Sequence, residues 1–522
     1  MSSIENCTHT TTARFERLCD RLRLLSAGNL PVLLVSALVI LWRSAIASPA
    51  DPDLFARVGM GRLVEELGQV PLVDPFAFTP KLPVWIDHEW LSGVVFYQIA
   101  SAMGDAGLVF LKLVLSAWTV LLLVRASISY TPRVSGRLLW SVVCILESSY
   151  LWGSTIRCQA FTYLMIALVY FGFAKYRAQG VRRYLALIPF ASVALVNMHG
   201  GYALLMVVLS ILTVCSFIER RSWRYLLVVT ALSSLAPFAT PYGSAQFMNY
   251  LVHAISMRRP TIAEWSPLYS DLAGLVRVAV IYTPLLLGVA LTAKRRACDI
   301  TALALLAFSF YCGLSHIRFV GFAMLTALVF GARYFSVTLE LIRDKFKQQL
   351  LKLERAGAFV GSVAVVVMLA QFMAVVSHRD GWRLDMSNYP QRAIEWLRAS
   401  GASGKLLVDF NNGSLAEWRL FPRFLVSIDG RYEEVYRDDT VRDVALAFAA
   451  DTPEGAAALG RIAPTHILFK NSTRAELARA ALPEGWREVY RDDSYCIVTV
   501  NPEISGDKSE LVISDNLWEP LF

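Results

Sequence analysis

The sequence is short of charge. Only 18% of its 522 residues are Asp, Glu, Lys or Arg, against roughly 25% in a soluble globular chain. The formal balance is +8, but the basic residues lie mostly between apolar runs, which excludes nucleic acid as the expected partner and reads as a topology signal. The eight cysteines are scattered and form no CxxC or Cys/His spacing. That excludes a disulfide framework and a zinc site. Cys144, Cys215 and Cys312 fall inside apolar runs, and Cys496 is alone near the C-terminal end. There is no Gly-rich phosphate loop, nucleophile elbow or nucleotide-binding motif. The N-terminus has no convincing signal cleavage site. Residues 1–29 are polar, with Arg14, Arg17, Arg21 and Arg23 ahead of the first apolar run.

What the chain does have is apolar length. Hydrophobic residues make up 55% of it, and the mean hydropathy is +0.47. The excess is gathered in runs near 30–48, 107–125, 138–153, 159–174, 184–198, 201–218, 225–242, 277–293, 299–314, 317–337 and 357–377. The expected fold is a polytopic α-helical membrane protein with about eleven transmembrane helices. Several runs are shorter than the roughly 20 residues a span needs, so their ends must extend. The stretch 90–103 is shorter still and reads as an interfacial helix, with a span as the weaker option.

Basic clusters orient the chain. Arg125/Arg133/Arg137, Lys175/Arg177/Arg182/Arg183, Arg220/Arg221/Arg224, Lys294/Arg295/Arg296 and Arg343/Lys345/Lys347 all fall on one side when 1–29 is cytoplasmic. The transmembrane domain is then 30–377, with 49–106 as its first outside loop, and 378–522 lies outside. That tail alternates helical patterns with short β-branched runs. A helix is expected over 393–399 and strands over 405–410, 424–428, 465–469 and 494–500, giving a small extracytoplasmic α/β domain.

The same orientation gathers the unusual polar residues on the outer face. Asp51, Asp53, His88 and Glu89 lie in the first outside loop. Arg157 and Gln159 sit at the second outer turn, Asn197 and His199 at the third, Glu264 in the long fourth loop, and His316 and Arg318 at the fifth. Ionisable groups at span ends are costly and suggest a site. Each also has a plainer reading. Asp51 with Pro52 is a good helix N-cap and first-residue pair, and Asp53 is then a first-turn acid favoured by the helix dipole. His88-Glu89-Trp90 reads as a helix start with an aromatic anchor. Arg157 and Arg318 are placed to snorkel to headgroups. Asn197 and His199 suit interhelical hydrogen bonds.

The segment "DPDLFARVGMGRLVEELGQVPLVDPFAFTPKLPVWIDHEWLSGVVFYQI" after a first span resembles the GT-C superfamily of membrane glycosyltransferases. That superfamily includes the protein O-mannosyltransferases and the lipid A aminoarabinose transferase. The chain is especially similar to largely uncharacterised bacterial multi-span relatives, through "RCQAFTY", "VNMHGG", "IAEWSP" and the tail's "SIDGRYEEVY". The resemblance implies a bacterial inner-membrane enzyme and a sugar donor carried on a polyprenyl phosphate. It also implies a catalytic acid early in the first outside loop, which by position is Asp51 or Asp53. Pro52 separates the two here, where many relatives have adjacent acids.

Glycosyl transfer from a lipid phosphate needs a carboxylate to take the acceptor's proton. It also needs cations to meet charge growing on the departing phosphate. Asp53 suits the first role, with Asp51 as the cap. Arg157, Arg318, His199 and His316 suit the second. His88, Glu89, Gln159, Asn197 and Glu264 are further site candidates. Expected partners are a polyprenyl-phosphate-linked sugar, membrane lipids and a glycan, lipid or protein acceptor. No cofactor is firmly implied, and a divalent cation on Asp51, Asp53, His88 and Glu89 is a candidate only. Two other readings stay open: a catalytically silent assembly subunit, and a lipid or polysaccharide transporter.

Overall fold

A computed structural model describes residues 29–500 apart from 47, 133, 149–155, 257–261 and 295–298. The polar N-terminal segment and the end of the 138–153 run therefore lie outside the described residues.

The membrane part is helical. Its helices are α1 (Leu30–Ile46), α2 (Pro52–Leu67), α3 (Trp90–Tyr130), α4 (Arg137–Glu147), α5 (Gln159–Gln179), α6 (Ile188–Met198), α7 (Tyr202–Ile218), α8 (Trp223–Ser233), α9 (Ser244–Ser256), α10 (Leu272–Lys294), α11 (Ile300–Ser315), α12 (Val320–Phe330), α13 (Ala332–Lys345) and α14 (Lys347–Ser377). Three stretches are each long and apolar enough to cross a membrane: Trp90–Tyr130, Leu272–Lys294 and Val360–Ser377. Two bent pairs raise the number to five: Trp223–Ala239 with Ser244–Ser256, bent by 102°, and Ile317–Phe330 with Ala332–Lys345, bent by 69°. These counts hold for the described residues, where Leu30–Ile46, Ile188–Met198, Tyr202–Ile218 and Ile300–Ser315 are apolar but shorter. The protein is a membrane protein by this apolar helical content.

The stretch 90–103 is helical and runs into the next apolar run. The two halves of α3 meet at Gly104, where φ is 60° and ψ −150°. That backbone conformation suits glycine, which has no Cβ to clash. Helix α9 was not expected, because the loop after the 225–242 run carries no long apolar stretch.

Several helices share a polarity that matters below. Helices α5, α7 and α11 each have one end at His199, Arg157 or His316 and the other at Arg177, Glu219 or Asp299. At 1.5 Å per residue, the 21 residues of α5 separate those ends by roughly 30 Å. That length matches the hydrocarbon core of a bilayer.

The tail is an α/β unit. It contains α15 (Gln391–Ala399), β1 (Gly404–Leu407), α16 (Phe410–Leu420), β2 (Phe424–Val426), α17 (Asp438–Ala447), α18 (Pro453–Ile462), β3 (His466–Lys470), α19 (Thr473–Ala480), β4 (Arg487–Arg491) and β5 (Tyr495–Thr499). The sheet order is β2-β1-β3-β5-β4. Strand β1 runs parallel to β2 and β3, and β5 runs antiparallel to β3 and β4. Strand β4, "REVYR", escaped the sequence reading because it is an edge strand with mostly exposed side chains.

The first loop docks on the sheet. Ala77 bridges Val426 in parallel, with Val426 N–H donating to Phe76 O at 3.0 Å and Phe78 N–H to Val426 O at 3.1 Å. The loop thereby covers the β2 edge, which would otherwise present unpaired backbone groups. Further bridges join Pro49 to Asp385 and Lys81 to Tyr436. The cores are shared too. Leu54, Phe55 and Val58 of α2 pack in one cluster with Trp396, Leu415 and Trp418 of the tail. Met60, Phe76 and Trp85 pack in another with Leu407, Ile428 and Val435.

Helix α2 crosses the start of α3 at backbone contact. A Cβ on Gly61 would lie 2.2 Å from Gly93 O, and one on Gly93 would lie 2.5 Å from Arg57 O. Gly61→Ala should force the two helices apart and cost about 1–3 kcal/mol, as overpacking does. The melting temperature of the detergent-purified protein reads this directly. A Gly61→Ala protein that melts with wild type would rule out the close crossing.

Candidate functional site

The tail and the helix ends nearest it enclose a cavity of about 650 Å³. Its wall begins at α2. Asp51 is the N-cap, its carboxylate accepting from Asp53 N–H at 3.1 Å, and Pro52 opens the first turn. That places Asp53 in the first turn, where it lines the cavity. Asp51 itself is buried and faces Arg157.

Arg157 organises this wall. Its Nε donates to Asp51 Oδ2. Its Nη1 donates to Glu264 Oε2 at 2.9 Å, and its Nη2 lies 3.8 Å from Asp53 Oδ2. Arg318 Nη1 is 3.9 Å from the other oxygen of Glu264, and the guanidinium stacks 4.4 Å from the Trp265 ring centre. The structure thus brings Asp51, Asp53, Arg157, Glu264 and Arg318 together, and Gln159 joins the lining. His316 does not line the cavity. Its ring packs edge-on against Trp265 at 5.3 Å.

Asp53 is 42% exposed by side-chain surface. That surface faces the cavity, deep in the protein. Burial there pushes its carboxyl up to about 7, and the neighbouring Asp51 charge pushes the same way, while Arg157 and Arg57 pull it down. A carboxyl that titrates near neutrality is suited to proton transfer at working pH.

A second ion cluster sits beside the first. Arg57, one turn beyond Asp53 on α2, is nearly fully buried. Its Nη1 lies 2.7 Å from Asp87 Oδ1, its Nε 2.7 Å from Glu89 Oε2 and its Nη2 2.9 Å from Glu434 Oε1. His88 Nδ1 is 2.9 Å from Glu434 Oε1 and 2.8 Å from the Tyr250 hydroxyl. Burial works against a charged His88, but Glu434 and Glu89 outweigh it and hold the imidazole up at about 9. Glu89 is held below the usual carboxylate range by Arg57 and His88 against its burial.

His199 is the opposite case. Its Nδ1 accepts from Gly201 N–H at 2.9 Å and lies 2.7 Å from the Thr162 hydroxyl. A nitrogen that accepts a backbone N–H carries no proton, so only Nε2 does, 3.5 Å from Glu89 Oε1. Burial pushes its pKa down to about 3. His199 is therefore a neutral member of the wall, whereas the sequence reading wanted a cation. Asn197 stays outside the lining: its Oδ1 accepts from Trp90 Nε1 at 2.9 Å, which is the interhelical role.

Sequence reasoning missed Arg57, Asp87, Tyr250, Gly430 and Glu434. Arg57 had a signal, since it stands one turn from Asp53 on the same helix. Glu434 and Gly430 sit inside "SIDGRYEEVY", a motif noted in the tail but not tied to the cavity. Gly430 is fitted to the site: a Cβ there would lie 2.6 Å from Asp53 Oδ1. Next to it, Arg431 is wholly buried and binds Asp74 Oδ1 at 2.6 Å, Asp429 Oδ2 at 2.5 Å and Glu417 Oε2 at 3.0 Å. The tail residue Glu434 and the first loop therefore build one wall.

A divalent cation has one candidate cluster among the described residues: Asp87, His88 and Glu434, with ligand atoms within 4.8 Å of one another. The Arg57 guanidinium already binds Asp87 and Glu434, and His88 Nδ1 already meets Glu434, so these ligand atoms are engaged within the protein. The four residues expected from sequence divide between the two clusters, Asp51 and Asp53 with Arg157, His88 and Glu89 with Arg57.

No protein-family model and no curated protein sequence matches the chain. Solved structures do. ArnT from Cupriavidus metallidurans in the apo state aligns with a TM-score of 0.53 and 14% identity, over 93% of this chain and 100% of that one. The same protein bound to undecaprenyl phosphate aligns at 0.51 and 13%, over 92% and 100%. The chain has a GT-C fold. The oligosaccharyltransferase of Archaeoglobus fulgidus, solved with zinc and sulfate, aligns more loosely at 0.46 and 11%, over 84% of this chain and 68% of that one. A GT-C layout accounts for the long first loop, the helices gathered beneath it and the tail that covers them.

Glu434→Gln tests the second cluster through pH. His88 has a folded pKa raised above its unfolded value of about 6.5. Its contribution to stability is full below pH 6.5 and is lost as pH rises through about 9. The raised carboxyls of Asp53 and Asp87 titrate near 7, below the pH range in which His88 loses its proton. Between pH 7.5 and about 9.5 the wild-type melting temperature should fall relative to that of Glu434→Gln, which lacks the anion that holds His88 protonated. A constant difference between the two proteins across this window would exclude a charged His88.

Proposed function

We propose that the protein is a membrane glycosyltransferase that moves a sugar from a polyprenyl-phosphate-linked donor to an extracytoplasmic acceptor. The observation that carries the reading is the cavity itself. One wall holds Asp53, with a pKa near 7, beside the guanidinium of Arg157. Another is apolar, with Leu204, Val207, Leu251, Ile255 and Phe308. A polar reaction centre next to an apolar wall suits a donor with a charged head and a prenyl chain. The undecaprenyl phosphate bound by the similar ArnT supports the same donor class.

In this reading Asp53 takes the proton from the acceptor hydroxyl. The acceptor oxygen forms its bond to the anomeric carbon, and the bond from that carbon to the donor's phosphate oxygen breaks. The electron pair leaves on the phosphate oxygen, where Arg157 and Arg318 meet the new charge. Arginine presents a planar fork that matches phosphate oxygens. Asp51 and Glu264 hold the Arg157 guanidinium in place before donor arrives. Asp51 thus serves twice, as helix cap and as anchor for Arg157. Neutral His199, with Thr162 and Gly201, shapes the wall and carries no charge to the phosphate.

Asp53→Asn should lower turnover of a labelled lipid-linked sugar by about 10²- to 10⁴-fold, the usual contribution of a general base, with donor binding retained. In wild type, kcat/KM should rise with pH through about 7 as the carboxyl loses its proton. Normal turnover by Asp53→Asn, or a level profile from pH 5.5 to 8, would remove Asp53 from the role.

The proposed orientation puts the cavity and the tail outside a bacterial inner membrane, with the N-terminus in the cytoplasm. A single cysteine replacing exposed Asp493 in a chain stripped of native cysteines should react with a membrane-impermeant reagent added outside the inner membrane. Reaction only after that membrane is permeabilised would invert the topology.

A further inference from the structure

A second polar cluster lies at the other end of the same helices. Helix α3 ends at Tyr130, α5 carries Arg177 in its last turn, and α7 ends beside Glu219. Helix α11 starts from the N-cap Asp299, and α13 begins at Ala332 with Arg333 next. Arg177 Nη2 lies 2.8 Å from Asp299 Oδ2 and 3.0 Å from Glu219 Oε2. The Tyr130 hydroxyl donates to Asp299 Oδ2 at 2.8 Å. These groups fix one another, and they frame a cavity of about 280 Å³ lined by Tyr130, Arg177, Arg221, Asp299, Arg333 and Tyr334.

The cluster is not neutral. Three arginines (Arg177, Arg221 and Arg333) meet two carboxylates, Glu219 and Asp299. Both carboxylates are already engaged by Arg177, and Arg221 Nε lies 3.5 Å from Glu219. Arg333 has no ion pair or hydrogen bond among the described residues. Arg177 Nη1 is buried and has no hydrogen-bond partner there either. A buried guanidinium N–H without a partner costs more than one that is satisfied. One excess positive charge, an Arg333 side chain with no charged partner among the described residues, and an open cavity therefore coincide.

We propose that this cavity binds the phosphate group of an anionic lipid headgroup. Its level in the membrane points to a lipid. The cluster stands at the helix ends roughly 30 Å from the outer cavity, which is where headgroups lie if the helices span the bilayer. Basic pockets between transmembrane helices suit phosphate headgroups. A phosphate oxygen would pair with Arg333, and its charge would balance the excess. Bound there, the headgroup ties α13 to α3, α5 and α11, three helices whose other ends line the outer cavity.

The test uses the full chain purified in a neutral detergent, titrated separately with phosphatidylglycerol, phosphatidylcholine and sodium phosphate. Phosphatidylglycerol should raise the melting temperature, and the other two should not at the same concentrations. Arg333→Gln should lose at least half of the phosphatidylglycerol shift, and Arg333→Lys should keep more of it. Arg224→Gln, at an exposed arginine outside the cavity, should keep the whole shift. Each variant's own melting temperature without lipid serves as its baseline, so a weakened fold does not mask the result. Equal shifts with phosphatidylcholine, or a full shift in Arg333→Gln, would overturn the site. So would an equal loss in Arg224→Gln, which would reduce the effect to general surface charge. An equal shift with sodium phosphate would overturn the lipid as the source.

Discussion

The buried guanidinium of Arg57 is the contact on which the union of the first loop and the tail depends. A charge taken out of water is tolerated only with close partners, and removing one of them costs about 3–5 kcal/mol. Arg57 draws those partners from two parts of the chain: Asp87 and Glu89 from the end of the first loop, Glu434 from the tail. Arg431 repeats the arrangement from the tail's side, reaching Asp74 of the loop. Phe76 and Trp85 stack on the Arg431 guanidinium at 4.9 and 4.8 Å. The two arginines make the first loop and the tail a single folded unit, and the cavity is a product of that union.

Much of this was legible in the sequence, and the physical reason is the thickness of the apolar solvent. A bilayer forces apolar length on every helix that crosses it, so the runs stand out without any knowledge of contacts. Pro52 after Asp51 announced a helix start, and the N-cap is there. Charge asymmetry alone put Arg157, Glu264 and Arg318 on one face, and they do meet. The tail's α15 followed from a helical pattern, and the strands β1, β2, β3 and β5 from β-branched runs.

What stayed hidden depends on contacts between distant segments. Nothing local in Glu434 says that it will face His88. The neutrality of His199 comes from the Gly201 N–H and from burial, neither of which a sequence displays. His316 looked equivalent to His199, yet the edge of Trp265 claims its ring. Helix α9 was invisible because it is bent away from α8 instead of continuing a long apolar run. The bulk of the tail's contribution to the cavity was missed for the same reason: a motif can be recognised without revealing what it touches.

The sequence separation of the Arg57–Glu434 contact has a consequence for how the protein is made. The two residues are 377 positions apart. At 5–20 residues per second, synthesis needs roughly 20–75 s to reach the second after the first. During that interval α2 and its aspartates lack the tail, and Arg57 has only the loop's own carboxylates to answer it. The cavity wall is therefore completed only once Glu434 has been made. Until then Phe76 and Trp85 lack the Arg431 guanidinium on which they stack.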